Sequence, residues 1–144
     1  MREAPPGAGL RFGIFADDLT GALDAAAPFV ARGLSAYASL TADLPVDFAL
    51  RGTAVASVNM DSRRLSADHA AQRAYAAVSD LVDAGYRPAF NKVDSTLRGH
   101  TGLEALVATR AGAGRGFLLS PAFPANGRTV IDRQVYLNGE PVHR

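Results

Sequence analysis

Short apolar runs alternate with stretches of helical period along the chain. RFGIFA (11–16) is a compact run of Phe and Ile that breaks at Asp17 and Asp18, the pattern of a buried strand ending in a polar loop. Leu23, Ala27 and Val30 then share one face of a helical stretch over 20–32, which stops at Gly33. AYASL (36–40) and TAVASVNM (53–60) read as further strands, each followed by polar residues. Residues 66–84 set Ala71, Ala74, Tyr75, Val78, Leu81 and Val82 on one helical face, closed by Gly85. RPAFNKV (87–93) is strand-like again. Thr101 and Glu104 have the spacing of a capping box for a helix over GLEALVATRA (102–111). RGFLLS (115–120) predicts one more strand, and QVYLNGEPVH (134–143) carries Asn138 and Gly139 between extended residues, a strong hairpin signal.

Strands and helices alternating at this spacing predict an α/β fold, a mostly parallel sheet flanked by helices with a C-terminal β-hairpin. Residues 1–10, rich in Pro, Ala and Gly, read as a flexible tail, and 11–144 as a single domain. In such sheets ligands bind at the carboxyl ends of the strands. That rule groups the polar residues. Asp17 and Asp18 follow the first strand, and Asn59, Asp61, Ser62 and Arg63 follow the third. Residues 92–98 follow the fourth, and 120–128 the fifth.

Composition narrows the chemistry. With 48% hydrophobic and 20% charged residues the chain is globular in character. Its 15 Lys and Arg against 14 Asp and Glu leave a net charge of +1, which gives no electrostatic case for nucleic acid or an anionic membrane. Charge chemistry must be local. The absence of cysteine removes thiol nucleophiles and thiolate metal sites. No apolar run approaches the roughly 18 residues of a membrane span, and the N-terminus lacks a signal-peptide pattern, so the expected location is cytoplasmic. His69, His100 and His143 have no metal-ligand spacing, and no metal site is expected. Gly112, Gly114 and Gly116 precede a predicted strand instead of following one, which argues against a dinucleotide loop.

The strand-end clusters have a readable chemistry. Arg63, Lys92 and Arg98 supply donors for a carboxylate or phosphate, the arginines in a two-oxygen fork. Asp17, Asp18, Asp61 and Asp94 accept hydrogen bonds, which suits hydroxyl groups. A ligand with one anionic end and several hydroxyls uses both sets. A sugar acid is such a ligand, whereas a purely anionic one would be repelled by the aspartates. An aspartate beside a hydroxyl can also serve as general base, which makes Asp17 and Asp94 the candidates. Each cluster also has a structural reading: Asp18 as a helix N-cap, Arg63 in a solvated turn, Asp94 paired to Arg98 within a loop.

FADDLTGALDAA, NMDSRR, NKVDSTLRGHTGLEA and SPAFPANGRTVIDRQVYLNGEPVH resemble, in order, the signature blocks of the four-carbon acid sugar kinase family. The resemblance implies an N-terminal domain that binds a sugar acid and a C-terminal domain that binds ATP and magnesium, yielding a phosphorylated threonate or erythronate. It assigns substrate contacts to Asp17, Asp18, Arg63, Lys92, Asp94, Ser95, Arg98 and Gly99. Members of that family continue well beyond the PVH block, and no Gly-x-x-x-x-Gly-Lys-Ser/Thr loop occurs in this sequence. The expectation is a separate domain, a truncated gene product or half of a split enzyme, which binds substrate without phosphorylating it unless a separate ATP-binding domain or chain joins it.

Two other classes compete. A haloacid-dehalogenase-like phosphatase needs an Asp-x-Asp loop after the first strand, but Ala16 occupies the nucleophile position of ADDLT. A noncatalytic sugar-acid-binding or interaction module fits the chain length.

Overall fold

A computed structural model describes residues 9, 11–42, 52–114 and 116–142. Of the predicted tail only Gly9 falls among them, and His143 and Arg144, at the end of the predicted hairpin, lie outside. The elements are β1 (Phe12–Ala16), α1 (Leu19–Val30), β2 (Ala36–Ala38), β3 (Val55–Asn59), α2 (Ala67–Asp83), β4 (Arg87–Lys92), α3 (Thr101–Ala108), β5 (Arg128–Ile131), β6 (Gln134–Leu137) and β7 (Glu140–Pro141). The expected α/β class is correct. The first four strands form an all-parallel sheet in the order β2-β3-β1-β4, and the last three an antiparallel sheet in the order β5-β6-β7.

Both faces of the parallel sheet are covered, which is why its strands read as apolar runs and not as alternating patterns. On one face Phe15, Ala56 and Val58 pack with Ala74, Ala77, Val78 and Leu81 of α2 and Ala108 of α3. On the other, Ile14 and Val55 pack with Ala25, and Phe29 lies against them. The connection through α1 leaves β1 toward β2 and β3, and the one through α2 returns across β1 to β4. The carboxyl end of β1 is therefore the switch point of the sheet, where neighbouring connections diverge and leave a crevice.

Helix α1 sits where predicted but turns the other way. Its buried residues are Gly21, Ala22, Ala25 and Ala26, while Leu23, Ala27 and Val30 are exposed. The helix is apolar on both sides, so periodicity did not select a face. Small residues let its backbone approach the sheet closely enough for the Ser57 hydroxyl to donate to the Ala22 carbonyl at 2.8 Å. Helix α2 is closer to expectation. Ser66 caps it by accepting from the His69 amide, and Ala74, Val78 and Leu81 are buried, although Tyr75 and Val82 face outward and Ala70 and Ala77 take their places.

Two expectations fail. The Thr101–Glu104 capping box does not form: His100 is the N-cap, with no side-chain cap bond, and the Glu104 carboxylate is turned into the core. RGFLLS does not make a strand. Its described residues form no ladder, Leu118 is 95% exposed, and the outer edge of β4 has no partner among the described residues. High β propensity is realised only where a neighbour accepts the ladder and covers the side chains. The predicted hairpin does form between β6 and β7, with Asn138 and Gly139 both at positive φ (53° and 87°), as a tight two-residue turn requires. Strand β5, which the sequence reading did not predict beyond placing its first residue, Arg128, in a polar cluster, extends this hairpin to three strands. No helix among the described residues is long and apolar enough to cross a membrane.

Leu81 is fully buried between α2 and the sheet, so Leu81→Ala is expected to lower the unfolding free energy by about 2–5 kcal/mol. Leu118→Ala, at a site the sequence pattern placed in a strand, is expected to change it by less than about 0.5 kcal/mol. Urea titrations of the two variants check both numbers.

Candidate functional site

The carboxyl edge of the sheet is built by backbone hydrogen bonds before any side chain acts. The Met60 amide donates to the Ala16 carbonyl at 2.8 Å, and the Ser62 and Arg63 amides donate to the Asp17 carbonyl at 3.1 and 3.2 Å. These bonds fold the loop after β3 across the end of β1. Arg63 is thereby delivered to the two aspartates that follow β1.

Arg63 grips Asp17 with its fork, Nε donating to Oδ2 and Nη2 to Oδ1, both at 2.8 Å. Its third nitrogen, Nη1, lies 2.7 Å from Asp18 Oδ2 and 3.9 Å from Asp94 Oδ1. Bonding to Asp17 raises the guanidinium above its already high ordinary value, so it is permanently charged. Asp18 does double duty: Oδ1 accepts from the Gly21 amide at 2.7 Å and so caps α1, while Oδ2 meets Arg63. The N-cap reading of Asp18 is correct, and the structure adds an ion pair with Arg63.

The loop after β4 is organised on Asp94. Its Oδ2 accepts from the Thr96 amide and hydroxyl, the Arg98 amide and Arg98 Nε, and its Oδ1 accepts from Arg98 Nη2 at 2.6 Å. Burial works to raise the Asp94 pKa, but the bonds from Arg98 and Thr96 outweigh it and hold the carboxyl well below the usual carboxylate range. Arg98 is raised by the same pairing, and 66% of its side chain remains in solvent. Gly99 has φ +82°, and a Cβ there would stand 3.2 Å from Asp17 Oδ2 and 3.4 Å from the Arg63 Cα. Conformation and clearance both call for glycine.

Lys92 ends β4 beside α1, where a Cβ added to Gly21 would come 3.2 Å from its Cγ. Its ammonium donates to the Val93 carbonyl at 3.0 Å, and no ion pair to a carboxylate is found for it among the described residues. Asp18, Arg63, Lys92, Asp94, Ser95 and Arg98 open together onto a cleft of about 1380 Å³. Ser120, Asn126 and Arg128 line the same cleft. Four polar clusters expected at one edge thus meet at one cleft. Asp17 and Asp94, the two candidate bases, both have their carboxylate oxygens engaged by arginines. Asn59 and Asp61 serve the loop: the Asn59 side chain accepts from the Asp61 amide and donates to the Leu40 carbonyl, while Asp61 itself is exposed.

The sequence reading missed Glu104 as a site neighbour. This carboxylate is 1% exposed and accepts from the Ser62 hydroxyl at 2.5 Å, beneath the Arg63 loop. The only signal was an acid within the apolar stretch GLEALVA, and the capping-box pattern explained it otherwise. Thr96, which donates to Asp94, was likewise left out of the candidate site.

Residues 12–144 match the sugar-binding N-terminal domain family. The D-threonate kinase of Salmonella typhimurium is 33% identical over 130 residues, 90% of this chain and 30% of that protein. The D-threonate kinase of Bordetella bronchiseptica is 39% identical over 133 residues, and the 3-oxo-tetronate kinase of Pectobacterium atrosepticum 33% identical over 138. A crystal structure of a domain of unknown function from Bordetella bronchiseptica, a domain-swapped dimer with bound citrate, superposes with a TM-score of 0.80 at 38% identity, covering 90% of this chain and 33% of that one. The chain spans about a third of the length of these relatives. With the match running from β1 to the last residue, and with kinases of four-carbon acid sugars among its relatives, the chain belongs to the sugar-binding N-terminal domain family of the four-carbon acid sugar kinases.

Proposed function

We propose that this chain holds a four-carbon sugar acid of the threonate or erythronate type for an ATP-dependent kinase. The observation that carries the reading is the meeting of Asp18 and Asp94 with three cations, Arg63, Lys92 and Arg98, around one cleft, with Asp17 buried behind Arg63 and Lys92 the cation that has no carboxylate partner found among the described residues. An anionic end group is drawn to Lys92 and to the exposed fork of Arg98, and hydroxyls along the chain meet Asp17, Asp18, Asp94 and Ser95. Gly99 keeps the loop close to Asp17. A carboxylate held as low as Asp94 accepts a proton poorly. In this reading Asp94 or Asp17 gains basicity only when an arginine transfers from it to the ligand, which couples substrate seating to the release of a base.

Magnesium ATP belongs, in the same reading, to the part of a relative-length protein outside this chain. No group of three ligating side chains suited to a metal occurs among the described residues. That the Bordetella structure holds citrate, a small hydroxy acid, is in keeping with a ligand of this class.

Calorimetry with D-threonate tests the reading directly, and saturable binding is expected. Arg98→Lys keeps the charge and loses the planar fork. It is expected to weaken binding by about 1.5–3 kcal/mol, the range for a charge-assisted hydrogen bond. The unliganded melting temperature should move by less than about 4 °C. Unchanged affinity would remove Arg98 from the site. Incubating the purified chain with D-threonate and magnesium ATP is expected to give no phosphorylated product, and its appearance would place the nucleotide site within this chain.

Asp94 also sets a pH dependence. Its folded pKa lies below the ordinary value of 3.8, so its pairing stabilises the fold above that pH and is lost as pH falls through and below it. The stability difference between the parent and Asp94→Asn is therefore expected to be full near neutrality and to shrink below about pH 4. Urea midpoints measured from pH 7 to pH 3 check the sign; a difference that grows on acidification would contradict the pairing.

A further inference from the structure

A carboxylic acid at a core position is costly unless its hydrogen bonding is satisfied. Glu104 is among the largest fully buried side chains, and its helix neighbours Ala105 and Ala108 are buried apolar residues of the core. For stability alone an apolar side chain would serve there. What Glu104 does have is one directed contact, the Ser62 hydroxyl, 42 residues away in sequence. Ser62 is itself fully buried, its amide donates to the Asp17 carbonyl, and the next residue is Arg63. A second strut runs from the start of the same helix, where His100 Nε2 meets the Leu65 carbonyl at 2.7 Å on the far side of the loop.

We propose that Glu104 is a positioning residue for the strand-end site: through Ser62 it fixes the loop that delivers Arg63 to Asp17, Asp18 and Asp94. A hydroxyl-to-carboxyl hydrogen bond fixes distance and direction, whereas an apolar contact lets the loop slide, and a fork held at 2.8 Å on two oxygens does not tolerate sliding. Burial pushes the Glu104 carboxyl above its ordinary value. The Ser62 hydroxyl opposes that rise, Asp17 at the end of β1 adds to it, and His100 and Arg63 oppose it. Burial thus makes the charged form of Glu104 costlier than at an exposed glutamate, and glutamine keeps an oxygen to accept from Ser62.

The proposal rests on the strand-end cluster being the ligand site, so the test reads Arg63 without ligand as well as with it. The Nε–H resonance of Arg63 is followed by nitrogen-edited NMR and told apart from that of Arg98 by its survival in Arg98→Lys. In Glu104→Gln its solvent exchange should stay within about threefold of the parent, and in Glu104→Leu and Ser62→Ala it should accelerate by roughly tenfold or more, the scale of one lost hydrogen bond. The amides of β1 and β3 should remain protected in all three. Affinity for D-threonate should fall by about tenfold in the same two variants and hold in Glu104→Gln. If Glu104→Leu fails to fold, Ser62→Ala, which removes a single hydroxyl, decides. Unaltered Arg63 exchange in Ser62→Ala, with only the melting temperature lowered, overturns the proposal and returns Glu104 to a packing role. A parent that binds no D-threonate sinks the sugar-acid reading, and the Arg63 resonance still decides whether Glu104 positions it.

Discussion

The guanidinium of Arg63 is the interaction on which the carboxyl edge depends. Asp17 is 2% exposed and Asp94 7%, and with Asp18 they bring three negative charges to one edge of the sheet. Carboxylates this far out of water need a counter-charge and donors close by, or they protonate or the site opens. One planar group that can never lose its proton meets Asp17 in a fork, Asp18 through its third nitrogen, and Asp94 at longer range. A lysine has the charge but not the planar fork with a further nitrogen to reach a second carboxylate.

Several features of the fold follow from keeping that group in place. The loop after β3 has to cross the end of β1, which the bonds from Ser62 and Arg63 to the Asp17 carbonyl achieve. The loop after β4 has to come within contact of both, and it does so at the one residue without a side chain, Gly99. Helix α1 has to begin on Asp18 so that a single carboxylate can cap it and pair with Arg63. The fold and the site are one hydrogen-bonded object. Arg98 is the member nearest to solvent, which makes it the group free to change partners at the smallest cost to the rest.

The sheet order adds the geometry that the charges exploit. Because the connection through α1 leaves β1 toward β2 while the one through α2 leaves β3 in the opposite direction toward β4, the carboxyl end of β1 lies open between those of β3 and β4, so residues at 17, 63 and 94 converge without any long loop reaching over the top. Beyond β4 the exposed residues 116–120 and the antiparallel sheet complete the cleft wall.

The sequence by itself determined the α/β class, the polar residues Asp17, Arg63 and Lys92 at or just past strand ends, Asp18 as a candidate cap of α1, the span of helix α2, and the Asn138–Gly139 turn. Each rests on a local rule: a run of apolar residues, a capping side chain, a pair of residues that tolerate positive φ. It also brought out the chemical types at the site, because the polar residues cluster where apolar runs stop. What only the tertiary structure decided is everything that depends on which surface comes to face which. Helix α1 has apolar residues on both sides, and the sheet selected the small ones. Glu104 satisfied a local capping pattern but found Ser62 across the fold. RGFLLS has the composition of a strand yet no ladder among the described residues. Above all, the pairing of Asp94 with Arg98, four positions apart, was open to a local reading, whereas that of Arg63 with Asp17 was not, since ion pairing is set by distances of a few ångströms and these residues lie 46 positions apart in the chain.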